Sequence, residues 1–310
     1  MKKYKKIYIA GQEGMVGSAV YKLAKIKKFR IIECSRSALD LTNQKKVNNF
    51  IKKNKPDIVI NAAGKVGGIL DNSRFQDDYL YTNTLIGLNL ARSCFKNKVS
   101  NFINLGSACI YPKNAGQPIK EDYLLSSKLE PTNEGYALAK IVVLKYCEYI
   151  YKKYKKNYVT LQPANLYGEG DNFDLKSSHV MPALIRKFHN ASIKNKKTVE
   201  VWGSGVAERE FLHVNDLASA IIFCINKKLR TSFFNVGGAD SITIKQLCKL
   251  IRKITKFKGK IIYNKKYPDG VLKRKLSNNI LSSHGWKAKI KLNSENGIVA
   301  YYNYFKKLNY

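Results

Sequence analysis

Short apolar runs alternate with longer amphipathic stretches through the first half of the chain. The short runs lack regular polar alternation and predict buried strands at 7–10, 29–32, 57–63, 101–105 and 158–162. The spacing of apolar residues between them predicts helices at 15–25, 44–53, 78–94 and 133–154. Strands and helices that alternate in this way are typical of a doubly wound parallel sheet, so the predicted fold class is α/β.

The pattern loosens in the second half of the chain. It predicts a polar loop, then short strands mixed with helices, at 169–178, 180–191, 199–202, 214–224, 233–236 and 243–254. We therefore predict a dinucleotide-binding domain at 1–165, with returning segments from about 205–240. The remainder, 166–310, is predicted to form mainly a smaller mixed α/β substrate domain.

Three glycines follow the first predicted strand. Gly11, Gly14 and Gly17 form a GxxGxxG pattern between that strand and the first helix. Glycines at such a turn let the backbone approach a pyrophosphate, and the helix N-terminus offers free N–H groups. A tight turn without a ligand is the competing interpretation, but the place of the pattern near the start of an alternating α/β chain favours a dinucleotide site.

The end of the second strand bears on the choice of cofactor. Arg36 can pair with the extra phosphate of NADP, whereas Glu33 would accept a hydrogen bond from the ribose of NAD if the strand ends early. We predict NADP(H) and keep NAD as the alternative.

A tyrosine and a lysine mark the candidate catalytic centre. Tyr136 and Lys140 are four residues apart on a predicted helix, so their side chains share one face. A nearby ammonium favours the phenolate, so we expect a lowered pKa for Tyr136 and proton exchange with a carbonyl oxygen. Tyr151 and Lys155 have the same spacing, so the pair alone is not specific. Ser107, 29 residues before Tyr136 and just after a strand, completes a predicted Ser-Tyr-Lys set.

Cys109 lies two residues after Ser107. If the chain remains extended there, both side chains point the same way, and a thiol beside a bound ketone could act as a base on the neighbouring carbon. The alternative is a small buried hydrophobic residue, because Cys is among the most buried residue types.

The composition adds one unusual feature, a large positive charge. The 310 residues include 56 Lys and Arg against 22 Asp and Glu, for a net charge of +34, and 47 of the cations are Lys. Nucleic-acid binding would use such a charge, yet base recognition favours Arg and the lysines are spread along the chain. We therefore expect no nucleic-acid partner, only faster encounter with anionic ligands.

Cysteine spacing and hydropathy exclude two further classes of protein. The six cysteines form no CxxC pair and no metal-binding spacing with the four histidines, so no metal site is predicted. Apolar runs stay below the ~18 residues of a membrane span, and the start of the chain lacks the apolar stretch of a signal peptide. We expect a cytoplasmic protein with no membrane partner.

The phosphate loop, the serine and the Tyr-Lys pair, in this order, resemble the extended short-chain dehydrogenase/reductase superfamily. Within it, the chain resembles the GDP-L-fucose synthase family, which are GDP-4-keto-6-deoxy-D-mannose 3,5-epimerase-4-reductases. The stretches that carry this resemblance are 14–19, 63–69, 105–113, 129–134, 165–168, 171–173, 178–180 and 209–214.

The resemblance implies a function and a set of site residues. It implies NADPH-dependent reduction of the C4 ketone of a GDP-4-keto-6-deoxy sugar for surface polysaccharide, by a homodimer that pairs through 78–94 and 133–154. The reductive set would be Ser107, Tyr136 and Lys140, and the base and acid of C3/C5 epimerisation would be Cys109 and His179. The implied cofactor contacts are Gly11, Gly14, Met15, Val16, Gly17, Arg36, Ala63, Gly64, Leu105, Gly106, Lys140, Pro163, Ala164, Asn165, Leu166 and His179. The implied substrate contacts are Lys187, Trp202, Arg209 and Asp269.

Several positions depart from the family pattern. Gln12 and Glu13 replace a basic pair, Ala108 replaces a Ser, Lys187 stands where the family has Arg, and 273–277 replaces an Arg-Lys-Leu-Leu-Asp-like run. Because these differences lie around the phosphates and the sugar, two alternatives stay open. One is reduction coupled to C3/C5 epimerisation, and the other is C4 reduction alone, on an already epimerised GDP-4-keto-6-deoxy-heptose.

Overall fold

The computed structural model of the chain describes residues 5–227, 229, 231–267, 269–308 and 310. Residues 1–4, on which the signal-peptide prediction partly rests, lie outside the described residues. Among the described helices, none combines the length and the apolar character needed to cross a lipid bilayer.

The elements follow the predicted alternation closely in the first half. The strands are β1 (Lys6–Ala10), β2 (Arg30–Ile32), β3 (Ile58–Asn61), β4 (Asn101–Leu105), β5 (Asn157–Pro163), β6 (Asn165–Tyr167), β7 (Thr198–Trp202), β8 (Glu208–His213), β9 (Phe233–Val236), β10 (Asp240–Thr243), β11 (Lys260–Asn264) and β12 (Lys273–Arg274). The α-helices are α1 (Met15–Ile26), α2 (Gln44–Asn54), α3 (Ile69–Arg74), α4 (Gln76–Lys96), α5 (Glu134–Tyr154), α6 (Val180–Ile193), α7 (Val214–Asn226), α8 (Ile244–Thr255), α9 (Asn279–Ser283) and α10 (Ala300–Lys306).

The main sheet confirms the predicted fold class. Six strands pair in parallel in the order β2-β1-β3-β4-β5-β9. The chain passes from β1 to β2 on one side and then crosses to β3 on the other, so the direction of winding reverses between β1 and β3. In open parallel sheets the ligand crevice lies at the carboxyl ends of the strands at such a reversal.

Helices cover both faces of this sheet because alternate strand residues point to opposite faces. Ile7 and Ile9 of β1 pack in one apolar cluster with α1 and α7, while Tyr8 packs in another with α2, α4 and α5. The strands of the sheet centre are buried on both faces, which explains their continuous apolar sequences.

A second group of strands lies beyond the main sheet. Strand β8 pairs with β10, β12 and β6, strand β7 pairs with β11, and a third apolar cluster joins α6, α8 and α10. Strand β9 returns to the main sheet, whereas β8 does not. The domain boundaries at 165 and 205–240 stay predictions.

Candidate active site

The three glycines bring the start of α1 against the ends of β1 and β3. Gly11 has a φ of +80°, and a Cβ atom there would lie 2.8 Å from the Ala63 backbone. A Cβ atom at Gly17 would lie 1.9 Å from the Gly11 carbonyl oxygen. Gly14 has no side chain that could cap α1, so it leaves the first N–H groups of the helix to an anionic ligand. This cradle fits a pyrophosphate.

Met15 and Val16 begin α1 and pack partly buried against the main core. A later loop covers this helix start, since a Cβ atom at Gly170 would lie 3.0 Å from Met15 Cα. Lys22 and Glu169 form a salt bridge of 2.7 Å beside it. The phosphate cradle is therefore closed on one side by the segment after β6.

The residues after β2 favour NADP over NAD. Glu33 Oε1 accepts a hydrogen bond of 2.6 Å from the Tyr21 hydroxyl, so this carboxylate is already engaged with α1. Arg36 is exposed in the loop that follows. Arg36 is thus available to the 2′-phosphate of a ligand at this edge, while Glu33 already has one partner on α1.

The other predicted cofactor residues lie at the carboxyl ends of β3, β4 and β5. Gly64 lies against the Asn83 side chain, and a Cβ atom there would lie 2.8 Å from Asn83 Oδ1. At Gly106 an added Cβ atom would lie 1.9 Å from Gln162 Oε1, the same oxygen that accepts from Ser107 N at 2.7 Å. At both places a larger residue would have to displace the end of a neighbouring polar side chain. Ala63, Leu105, Pro163, Ala164, Asn165 and Leu166 lie at or next to these strand ends.

Ser107, Tyr136 and Lys140 come together beside β4. Lys140 is buried, its Nζ donates a hydrogen bond of 2.9 Å to the Leu105 carbonyl oxygen, and it lies 5.5 Å from the centroid of the Tyr136 ring. Burial lowers the pKa of Lys140 to about 8.

The prediction of a lowered pKa for Tyr136 is wrong. Burial raises this pKa, the charge of Cys109 adds to the rise, and a hydrogen bond with Ser107 opposes it. The cost of placing a phenolate in a low-dielectric site exceeds the stabilisation available from nearby groups. Tyr136 is therefore protonated at neutral pH, which suits a proton donor.

The backbone conformation at Cys109 differs from the prediction. The chain does not remain extended after Leu105, because Ser107 Oγ accepts a hydrogen bond of 3.2 Å from Cys109 N and caps a 3-10 turn at Ala108–Ile110. The thiol is partly exposed, and Asn133 Nδ2 donates to Cys109 Sγ at 3.2 Å.

His179 immediately precedes α6 as its N-cap residue. The side chain keeps contact with solvent, but the surrounding protein lowers the pKa of its imidazole by desolvation. Gly68 N donates to the Ser177 carbonyl oxygen at 2.8 Å, which ties the loop after β3 to the segment before His179. Among the described side chains, neither His179 nor Arg36 forms a hydrogen bond with another predicted site residue.

The predicted substrate residues form a second group. Lys187 Nζ lies 5.0 Å from the centroid of a Trp202 ring, and burial lowers the pKa of Lys187. Arg209 Nη2 donates to the Asp269 carbonyl oxygen at 3.2 Å, and the Asp269 carboxylate accepts from Ser204 N at 2.8 Å and Ser204 Oγ at 2.7 Å.

Arg274 is a residue of this group that sequence reasoning left unassigned. It pairs with Arg209 across the parallel strands β12 and β8, and its Nε and Nη2 are buried without a partner among the described residues. Burial and the charge of Arg274 lower the pKa of Arg209 to about 10. Arg209 already donates to the carbonyl oxygens of Glu208, Val271 and Asp269, so the donors without a partner among the described residues are those of Arg274. The positive charge that the two guanidinium groups bring together suits a dianionic ligand such as a diphosphate.

Within the described part of the chain, no group of three or more His, Cys, Asp or Glu residues has an arrangement that could hold a metal ion. The six cysteines are free thiols, four of them buried.

The chain is similar to known proteins along nearly its whole length. The model of the NAD dependent epimerase/dehydratase family matches residues 7–237. A GDP-L-fucose synthase from Sinorhizobium fredii is 42% identical over 301 residues, which cover 97% of this chain and 95% of the relative. Two solved Campylobacter jejuni structures are each 32% identical and cover 99% of both chains. One is a GDP-6-OMe-4-keto-L-xylo-heptose reductase with a TM-score of 0.91, and the other a GDP-mannoheptose C4 reductase with NADP bound and a TM-score of 0.88.

Proposed function

Because the chain belongs to the NAD dependent epimerase/dehydratase family and, within it, to the GDP-L-fucose synthase family, we propose that it reduces the C4 ketone of a GDP-4-keto-6-deoxy sugar with NADPH. The observation that carries the proposal is the meeting of Ser107, Tyr136 and Lys140 beside the glycine cradle. The product would serve the synthesis of a surface polysaccharide.

The cofactor would lie along the carboxyl ends of the main sheet. The start of α1 would hold the pyrophosphate, Arg36 would pair with the 2′-phosphate, and Lys140 would contact the nicotinamide ribose. NADPH, when bound there, supplies the hydride. The turn 163–166 and His179 complete the proposed cofactor surface.

Tyr136 would donate its proton to the C4 oxygen as hydride reaches C4. Its raised pKa keeps the proton available, and Ser107 would hold the same oxygen by a hydrogen bond. The resulting phenolate would lie beside Lys140, whose ammonium stabilises the negative charge. Burial raises the pKa of Tyr136 and lowers the pKa of Lys140, so each charge is disfavoured alone. Each charge is stabilised when the other is present, which suits the two proposed roles.

The two guanidinium groups would bind the diphosphate, and Lys187, Trp202 and Asp269 would line the rest of the nucleotide site. Arg209 lies within electrostatic range of Cys109 on one side and contacts Asp269 on the other. A sugar attached to a diphosphate at Arg209 would therefore reach toward Cys109 and Tyr136.

Epimerisation uses the same ketone. A C4 carbonyl acidifies the protons on C3 and C5, so a group that polarises the C4 oxygen assists their removal as well as the later reduction. Cys109 would act as the base and His179 as the acid. The similarity to the solved heptose reductases supports the alternative, in which this chain reduces C4 of an already epimerised heptose.

A homodimer is part of the same proposal. Leu138, Val142 and Tyr149 lie on one side of α5 with exposed apolar surface, and Leu80 and Tyr81 add to it from α4, which packs against α5. Two such helix pairs would bury this surface in a four-helix contact.

Six free thiols suit a reducing compartment, so we place the enzyme in the cytoplasm.

A substrate panel tests the proposal. GDP-4-keto-6-deoxy hexoses and heptoses are incubated with NADPH in D2O, and the products are analysed by mass spectrometry and NMR. We expect NADPH oxidation with at least one of them, and deuterium at C3 and C5 only if epimerisation occurs. No oxidation with any of these ketones would contradict the proposed function. Reduction without deuterium would support the reductase-only alternative.

A further inference from the structure

The loop between β6 and α6 connects the phosphate cradle to His179. This loop, 168–179, passes over the start of α1, where a Cβ atom at Gly170 would lie 3.0 Å from Met15 Cα. At its other end the loop finishes at His179, directly before α6. Met15 and His179, two proposed cofactor contacts, therefore both depend on where the 168–179 loop lies.

The C-terminal helix α10 contacts the middle of this loop through a buried hydrogen bond. Tyr301 Oη donates to Asp171 Oδ2 at 2.6 Å, although the two residues are 130 positions apart in the sequence. Tyr301 is only 2% exposed. Burial raises the pKa of the Asp171 carboxyl to about 6, and the hydrogen bond from Tyr301 opposes this rise because it stabilises the carboxylate. The contact lies one residue from Gly170, at the point where the loop meets α1.

Phe173 fixes the loop to the same helix a second time. Its ring is fully buried, and the ring centroid lies 5.2 Å from that of Tyr301 and 4.8 Å from that of Phe305. Its carbonyl oxygen accepts a hydrogen bond of 3.0 Å from Arg186 Nη1 on α6. The other residues of 169–179 keep contact with solvent, so the packing that fixes this loop comes from α10 and α6.

A turn carries this anchorage on to His179. Asp174 Oδ1 accepts from Ser177 N at 3.0 Å, and the Asp174 carbonyl oxygen accepts from Ser178 N at 2.8 Å. These bonds close the chain on itself between Phe173 and His179. A displacement at Phe173 would therefore also displace the residue that precedes α6.

We infer that Tyr301 and Asp171 are positioning residues, whose contact holds the 168–179 loop against the start of α1 and so supports NADPH binding. The inference rests on the proposed function, since it takes the glycine cradle as the cofactor site. It gives a role in cofactor binding to α10, which lies outside the residues 7–237 that the family model matches.

Fluorescence titration with NADPH tests the inference without turnover. Tyr301→Phe keeps the ring and removes the donor, so the Asp171 carboxylate loses a partner in a buried place. We expect NADPH to bind about 10-fold more weakly, at the lower end of the value of a hydrogen bond to a charged group.

The Asp171 variants test the same contact from the loop. Asp171→Ala should weaken NADPH binding by a similar factor, and the double variant should bind no more weakly than either single one, because both changes remove one contact. Asp171→Asn should bind NADPH like the wild type, since its amide can still form a hydrogen bond with the Tyr301 hydroxyl.

Tyr302→Phe is the matched control on the same helix. The Tyr302 hydroxyl lies 2.8 Å from His189 Nδ1, so this variant also removes a hydrogen bond of α10, but one with α6 and not with the loop. It should leave NADPH affinity unchanged even if it lowers the melting temperature. Thermal unfolding followed by circular dichroism shows that each variant is folded.

Each outcome bears on one proposal. Equal NADPH affinity in wild type and Tyr301→Phe, or in wild type and Asp171→Ala, would overturn the positioning inference and leave the reductase proposal intact. Additive losses in the double variant would overturn it too, and so would an equal loss in Tyr302→Phe, since the effect would then come from a loosened helix. Absence of NADPH binding to the wild type would contradict the proposed function itself.

Discussion

The side-chain amide of Asn133 donates a hydrogen bond of 3.2 Å to the sulfur of Cys109. Asn133 lies one residue before α5, and Tyr136 is in the first turn of that helix. The start of α5 therefore holds Tyr136, the proposed proton donor to the ketone, close to Asn133, which contacts the thiol of Cys109. If Cys109 removes a proton from carbon, Asn133 positions its sulfur.

Asn133→Ala should therefore slow solvent exchange at C3 and C5 more than it slows C4 reduction. Loss of a hydrogen bond to a charged group is worth roughly 10-fold or more in rate. Deuterium incorporation followed by NMR measures the exchange, and NADPH oxidation measures the reduction. The neighbouring Thr132→Ala, which does not touch the thiol, is the control. Equal losses in both rates would contradict the positioning role.

Tyr136→Phe removes the proposed proton donor without removing the ring. We expect kcat to fall roughly 10²–10⁴-fold, the usual contribution of a general acid. Tyr151→Phe is a matched control, because Tyr151 lies in the last turn of α5 and Lys155, at the same spacing, directly follows that helix. A loss below tenfold in Tyr136→Phe, measured under saturating NADPH, would rule out the assignment.

The pKa of about 8 for Lys140 predicts a pH dependence of the reduction. The charged form is present below this value, so the ammonium supports the Tyr136 phenolate at neutral pH and is lost as the pH rises through about 8. We expect kcat to decline above pH 8. In Lys140→Arg the cation stays charged, so the decline should move to higher pH even if the rate at pH 7 is lower. A wild-type profile that is flat to pH 10 would be inconsistent with this role.

The long elements were predictable from sequence because their signals are local. Helix α5 begins within one residue of its prediction, and the apolar runs of β1 and β4 coincide with their strands. Short elements were missed. Strand β12 has two residues and α3 has six, and their pairing depends on contacts with distant parts of the chain.

In the candidate site, too, the parts that rest on local sequence signals were predictable. Motif spacing brings Ser107, Tyr136 and Lys140 together as expected, because each lies on an element with a strong local signal. The turn at Ala108 depends on where one hydroxyl points, and the raised pKa of Tyr136 depends on how much protein surrounds it. The pairing of Arg274 with Arg209 follows from β12 joining β8, which no local pattern reveals.

Arg36 is predicted to decide between the two nicotinamide cofactors. Arg36→Ser should raise KM for NADPH roughly 10- to 100-fold, the value of a charge-assisted hydrogen bond, and leave KM for NADH unchanged. Arg30→Ser removes another exposed cation, from β2, and serves as the control for net charge. Equal changes for both cofactors would indicate that Arg36 does not contact the 2′-phosphate.

Gly17 and Gly14 lie three residues apart in the phosphate loop but differ in the space around them. A Cβ atom at Gly17 would overlap the Gly11 carbonyl oxygen at 1.9 Å, whereas at Gly14 the nearest atom would be 3.4 Å away. Gly17→Ala must therefore separate α1 from the end of β1, and we expect a loss of about 2 kcal/mol or more in the free energy of unfolding. Gly14→Ala should change the free energy of unfolding by less than about 1 kcal/mol, since its φ of −78° is open to alanine. Urea unfolding followed by circular dichroism measures both values. Similar stability of the two variants would mean that the close approach of α1 to the loop does not constrain the fold.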